Sequence, residues 1–101
     1  MRSMTINKEK TNTTLNININ GRIDTTTAPA LEQELKSSYD GCTELILNFA
    51  EVKYISSAGL RVLLSAQKIM NKQGSIKIIN VSSDIMEIFE VTGFSDILTI
   101  E

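Results

Sequence analysis

Histidine is absent from the 101-residue chain. With it goes the usual general base of Ser-His and Cys-His nucleophile pairs, and the commonest ligand of transition metals. The Gly-x-Ser-x-Gly elbow of serine hydrolases is missing too, so no catalytic residue is assigned and the chain reads as a non-enzyme. Cys42 is the only cysteine. It excludes an intrachain disulfide and fits a reducing compartment, with the cytoplasm as the expected location. No carboxylate cluster stands at ligand spacing, so neither a metal nor any other cofactor is expected. Aromatic residues make up only 5% of the chain, which leaves the core to Ile, Leu, Val and Met. Ten basic residues against 12 acidic ones leave a net charge of -2, without the positive field that a nucleic-acid partner requires. No apolar run approaches the roughly twenty residues of a membrane span. Met1 to Lys10 carries charges and Asn7 where a leader peptide needs about seven to fifteen apolar residues, so neither membrane nor export is expected.

What remains is an aliphatic chain, 42% hydrophobic, near the common size of one domain, and a single domain over 1–101 is expected. Met4 and Ile6, then Leu15, Ile17 and Ile19, alternate with polar residues as half-buried strands do, with Lys8 to Asn12 as the hairpin connector. Asp24 to Thr27 offer capping oxygens for a helix that starts near Thr27, takes Pro29 in its first turn and ends at Asp40-Gly41. Ala28, Leu31 and Leu35 are its apolar stripe. Leu45, Ile46, Leu47 and Phe49 read as a central parallel strand, apolar on both faces. A second helix runs from about Ser57 to Lys72 on Leu60, Leu63, Leu64, Gln67 and Met70, and Gly74 stops it. Ile76, Ile78, Ile79 and Val81 form the next strand. A short helix follows, capped by Ser82 or Ser83, buried through Ile85, Ile88 and Phe89 and stopped at Gly93. Ile97, Leu98 and Ile100 close the pattern as a strand. This alternation is an α/β layout: a mixed, mainly parallel sheet with an antiparallel N-terminal hairpin, covered by three to four helices.

The segment Tyr54-Ile55-Ser56-Ser57-Ala58-Gly59-Leu60-Arg61 passes from the end of a buried strand into a helix. The first N–H groups of a helix lack internal partners and carry partial positive charge, so an anion is favoured there. Gly59 is expected to leave the first turn open, and ligands of α/β sheets gather at the carboxyl ends of strands. Simple capping of the helix by Ser56 or Ser57 explains the same serines. A phospho-aspartate receiver domain would need acidic residues at the strand ends, and here the central strand ends in Asn48 and Phe49.

Ser56-Ser57-Ala58-Gly59-Leu60, preceded by Asn48-Phe49 and Val52, resembles the signature loop of the anti-sigma-factor antagonists, whose fold is the STAS domain. Gly21-Arg22-Ile23-Asp24 followed by Thr27, Gly74 before its strand, and Ile88-Phe89-Glu90-Val91-Thr92-Gly93-Phe94 extend the resemblance along the chain. It implies that the loop serine, Ser57 by position, is phosphorylated by a partner that is both serine kinase and anti-sigma factor, and that a phosphatase reverses the modification. Ser56 is the alternative acceptor. It stands where the family often has an acid, and Ala58 stands where a hydroxyl is frequent. By the same resemblance Gly21 and Asp24 contact the partner together with Ser56, Ser57, Ala58, Gly59, Leu60 and Arg61, whereas Asp24 also suits plain helix capping. The alternative is a STAS interaction subunit that works without phosphorylation inside a larger signalling or transport assembly.

Overall fold

A computed structural model describes residues 4–101; the first three residues of the 1–101 domain and of the Met1–Lys10 segment lie outside it. Strand β1 (Met4–Thr11) turns antiparallel onto β2 (Thr14–Ile23). Next come α1 (Ala28–Lys36), β3 (Glu44–Ile55), α2 (Ser57–Gln73), β4 (Ser75–Ile79) and α3 (Ser83–Thr92). The sheet order is β1-β2-β3-β4, with β2, β3 and β4 mutually parallel, so the expected mixed α/β sheet is present.

The hairpin is tighter than the sequence suggested. Lys8 to Thr11 remain in the ladder, and only Asn12-Thr13 make the turn, because Asn12 adopts a left-handed φ of 57° that its short amide tolerates. Helix α1 begins after Thr27 as expected but stops at Lys36, not at Asp40-Gly41. The hydroxyls of Ser37 and Ser38 both donate to the carbonyl of Glu34, at 2.9 and 2.7 Å, and so compete with continued helical bonding.

The central strand departs from the expectation of burial on both faces. Leu45, Leu47 and Phe49 are buried, but Ile46 and Asn48 between them are half-exposed, and Lys77 and Ile79 repeat this on β4. The buried strand residues join Leu31, Leu35, Leu63, Ala66, Met70, Ile85 and Phe89 of the helices in one core cluster. The core therefore lies on one face of the sheet, and the opposite face is open and lined by Asn16, Asn18, Asn20 and Asn48.

Beyond Phe49 the buried residues of β3 fall three apart, at Val52 and Ile55. Two register shifts against β2 explain this: Asn18 and Asn20 face Asn48 and Glu51, and Gly21 and Arg22 face Val52 and Tyr54. Each shift gives β3 one extra residue, a β-bulge that bends the strand and re-aims the side chains beyond it. These bulges carry β3 to Ile55, so that it delivers its chain directly into α2. The last expected strand is reduced to one bridge between Ile78 and Ile100. A 3₁₀ turn over Phe94–Asp96 takes the amides of Ile97 and Leu98 onto the Phe94 carbonyl, which withholds them from the sheet. No helix among the described residues is long and apolar enough to cross a membrane.

Candidate functional site

Because β2 and β3 are parallel neighbours, their carboxyl ends emerge at the same edge, and the segments that continue from them lie side by side. The amide of Ser56 donates to the Ile23 carbonyl at 2.8 Å and ties the two ends together. Asp24, the next residue after Ile23, is thereby brought to the loop that carries Ser56, Ser57, Ala58 and Arg61, whereas Gly21 lies further back within β2, paired with Met4 and Val52.

Asp24 organises its own segment. Its Oδ1 accepts from the Thr26 hydroxyl at 2.7 Å and from the Thr26 and Thr27 amides at 3.0 and 3.1 Å. Thr27 Oγ1 donates to the Arg22 carbonyl at 2.8 Å and accepts from the Asp24 amide at 2.8 Å. The Thr26 hydroxyl bond, backed by the two amides, holds the Asp24 carboxyl below its ordinary range. Asp24 thus closes the connection that precedes α1, and its second oxygen lies 3.8 Å from Arg22 Nε.

Ser56 occupies the N-cap position of α2 in extended conformation, yet its hydroxyl makes no capping bond. Its Oγ is buried and has no hydrogen-bond partner. Ser57, the first helical residue, is exposed. The helix begins bonding with the Leu60 amide on the Ser56 carbonyl at 2.9 Å, so the amides of Ser57, Ala58 and Gly59 precede the first helical bond. No acid stands in the first turn to offset its positive end. The two serines therefore differ in character: the hydroxyl of Ser56 is enclosed, whereas Ser57 is an exposed residue.

Gly59 corrects the expectation of an open first turn. It is buried, and a Cβ added there would meet Ile23 Cγ2 at 2.6 Å and Ile55 Cγ1 at 2.7 Å. Its missing side chain lets α2 rest on the ends of β2 and β3. Leu60 is likewise buried in the core. These two residues support the surface from beneath, while Ser57 and Arg61 are exposed on it and Ala58 is half-exposed. Thr25, Ala28, Pro29 and Glu32 on one side, and Ala58, Arg61 and Val62 on the other, bound a groove of about 270 Å³ between α1 and α2.

Two neighbouring side chains had no role assigned from sequence. The Arg22 guanidinium lies 4.5 Å from the centroid of the Tyr54 ring, a cation–π contact at the same sheet edge. Arg22 faces Tyr54 only because the bulge beside Lys53 advances β3 by one residue, and nothing in the pattern of residue types marks that shift.

A STAS domain family model matches residues 5–101. The anti-sigma-B factor antagonist of Bacillus subtilis (strain 168) is 34% identical over 87 residues, which span 85% of this chain and 80% of that protein. Among solved structures, an anti-sigma factor antagonist from Mycobacterium paratuberculosis superposes with a TM-score of 0.88 at 23% identity, covering 97% of this chain and 85% of that one. The Bacillus cell fate determinant SpoIIAA in its phosphorylated form gives 0.75 at 18% identity, covering 96% and 91%. The two structures agree in fold, and the match over nearly the whole sequence, with a relative of this identity, shows that the chain belongs to the STAS domain family, among the anti-sigma-factor antagonists.

Proposed function

We propose that the chain binds an anti-sigma factor through Ser57, Ala58 and Arg61 at the start of α2 and the adjoining Asp24 connection at the end of β2, releasing a sigma factor, and that phosphorylation of Ser57 ends this binding. The observation that carries the choice of residue is the contrast between Ser57, an exposed residue, and the enclosed hydroxyl of Ser56. A kinase can reach the first without moving the helix. The resemblance to an anti-sigma-B factor antagonist supports the partner, and a fold neighbour solved in phosphorylated form supports the switch.

In this reading the anti-sigma factor is itself the serine kinase. The Ser57 oxygen attacks the γ-phosphorus of ATP, the bond to the β-phosphate oxygen breaks, ADP leaves and the hydroxyl proton passes to the kinase. The product carries about -1.5 to -2 additional charge at pH 7. An interface shaped for a neutral hydroxyl then meets a bulky dianion, and the complex separates without refolding of the STAS domain. A phosphatase restores the hydroxyl. The chain is a substrate and binding partner in this cycle, not a catalyst.

The test incubates the chain with ATP and the serine-kinase anti-sigma factor that co-purifies with it, and maps the product by mass spectrometry. One phosphate on Ser57 is expected, and capture of the chain by the kinase should fall as the phosphate accumulates. Modification at Ser56 would overturn the assignment of the residue. Unmodified protein that holds its partner equally with and without ATP would replace the switch by a constitutive interaction subunit.

A further inference from the structure

We propose that Arg61 clamps the phosphoryl group of phosphorylated Ser57 within the same chain, its exposed guanidinium closing on the phosphate one helical turn away. The proposal rests on Ser57 being the modified residue. Residues four apart on a helix are surface neighbours, about 5–6 Å between Cβ atoms. Helical side chains also lean toward the N-terminus, so a long side chain at Arg61 extends over the turn that begins with Ser57. The planar guanidinium presents paired donors that match two phosphate oxygens at once.

The surrounding charges leave this task to Arg61. Glu32 of α1, on the opposite wall of the groove, and Asp24, in the turn before α1, are acids and would repel a phosphate. Asp24 is already engaged by Thr26 and Thr27. Arg22 lies beside Asp24 and stacks on Tyr54, and Lys53 lies 3.9 Å from Glu51. Lys68, the next cation along α2, is about three turns from Ser57. Among the described residues Arg61 forms no ion pair in the unmodified protein, so pairing with the phosphate breaks no existing bridge.

The consequence for regulation is double. Phosphorylation adds negative charge to the partner surface and at the same time withdraws a cation from it, because Arg61 turns from the partner to the phosphate. The modified chain keeps its fold and presents a face altered at two positions.

The test builds phosphoserine into position 57 during synthesis and follows its ³¹P resonance through a pH titration in the native chain, in Arg61→Gln and in Arg61→Lys. The second phosphate ionisation of phosphoserine lies near pH 6, and an adjacent cation lowers it. The midpoint in Arg61→Gln should lie higher than in the native chain by about 0.3 pH unit or more, the amount expected of an exposed helical ion pair. Arg61→Lys, which keeps the charge, should recover part of the shift. Equal midpoints in the native chain and Arg61→Gln would overturn the clamp, as would a shift that Arg61→Lys does not reduce. No kinase enters this measurement, so its failure leaves the kinase assay on Ser57 untouched, and failure of the kinase assay leaves the clamp measurable.

Discussion

Replacing Gly59 with alanine sets two known effects against each other at the position that seats α2. In an exposed helix interior the change would stabilise by about 1 kcal/mol, because glycine is the poorer helix former. Here the new methyl would lie 2.6 Å from Ile23 Cγ2, 2.7 Å from Ile55 Cγ1 and 3.2 Å from Ile55 Cδ1. Two of these separations are shorter than carbon atoms tolerate, and they involve side chains on two different strands. Ile23 and Ile55 are 0% and 2% exposed, so neither can swing into solvent, and the helix must lift instead. Overpacking of this kind costs roughly 1–3 kcal/mol. Contacts on two strands place the cost toward the upper end, and after the helix-propensity gain a net loss of about 1–2 kcal/mol is expected. For a domain near 100 residues this corresponds to a fall in Tm of roughly 5–15 °C. Urea unfolding followed by far-UV circular dichroism reads the same loss as a lower midpoint at unchanged slope. An alanine variant with the native midpoint or a higher one would refute the claim that Gly59 is required by close packing.

The orphaned hydroxyl of Ser56 leads to an unusual expectation for an N-cap serine: Ser56→Ala should leave stability unchanged or raise it by up to about 1 kcal/mol, whereas loss of a working cap would lower it by about that amount. Calorimetric melting of the two proteins decides between these signs. Asp24 ties stability to pH. Its folded carboxyl titrates below the ordinary value near 3.9, so its contribution is complete above that value and is lost as pH falls through the depressed folded one. The stability gap between the native chain and Asp24→Asn should hold constant from pH 7 to pH 5 and close on further acidification; a gap that persists in acid contradicts the assignment. Gln67 is buried, and it accepts from the Thr99 amide at 3.1 Å and donates to Thr99 Oγ1 at 3.2 Å. Gln67→Leu should cost about 1 kcal/mol and speed hydrogen exchange at Thr99, while exchange at Leu47 slows or quickens only with global stability.

Most of the architecture could be read from local signals. Alternation in Leu15, Ile17 and Ile19, the stripe Ala28, Leu31 and Leu35, and the face from Leu60 to Met70 each reflect a period that backbone geometry imposes on any chain with one buried side. The caps at Ser82 and Gly93 were legible for a related reason: a hydroxyl that accepts from Ile85, and a left-handed φ of 82°, are properties of single residues. The run Leu45 to Phe49 misled because hydrophobicity reports what a residue tolerates, not how many layers cover it. With the helices packed on one face, Ile46 stays half-exposed. The C-terminal strand failed where a turn at Phe94 competed for the same amides.

The sequence alone determined the strand–helix alternation, the placement of a serine pair at the start of α2, and, by its lack of histidine, the exclusion of a Ser-His nucleophile, since each depends on residue type and spacing along the chain. Tertiary structure decided which serine is available. Ser56 and Ser57 are chemically identical neighbours, and only their positions at the end of β3 and the start of α2 distinguish the enclosed hydroxyl of one from the exposed residue that follows it. The bulges in β3 made the same kind of decision for Arg22 and Tyr54, because a register shift between strands leaves no mark on either sequence that forms it.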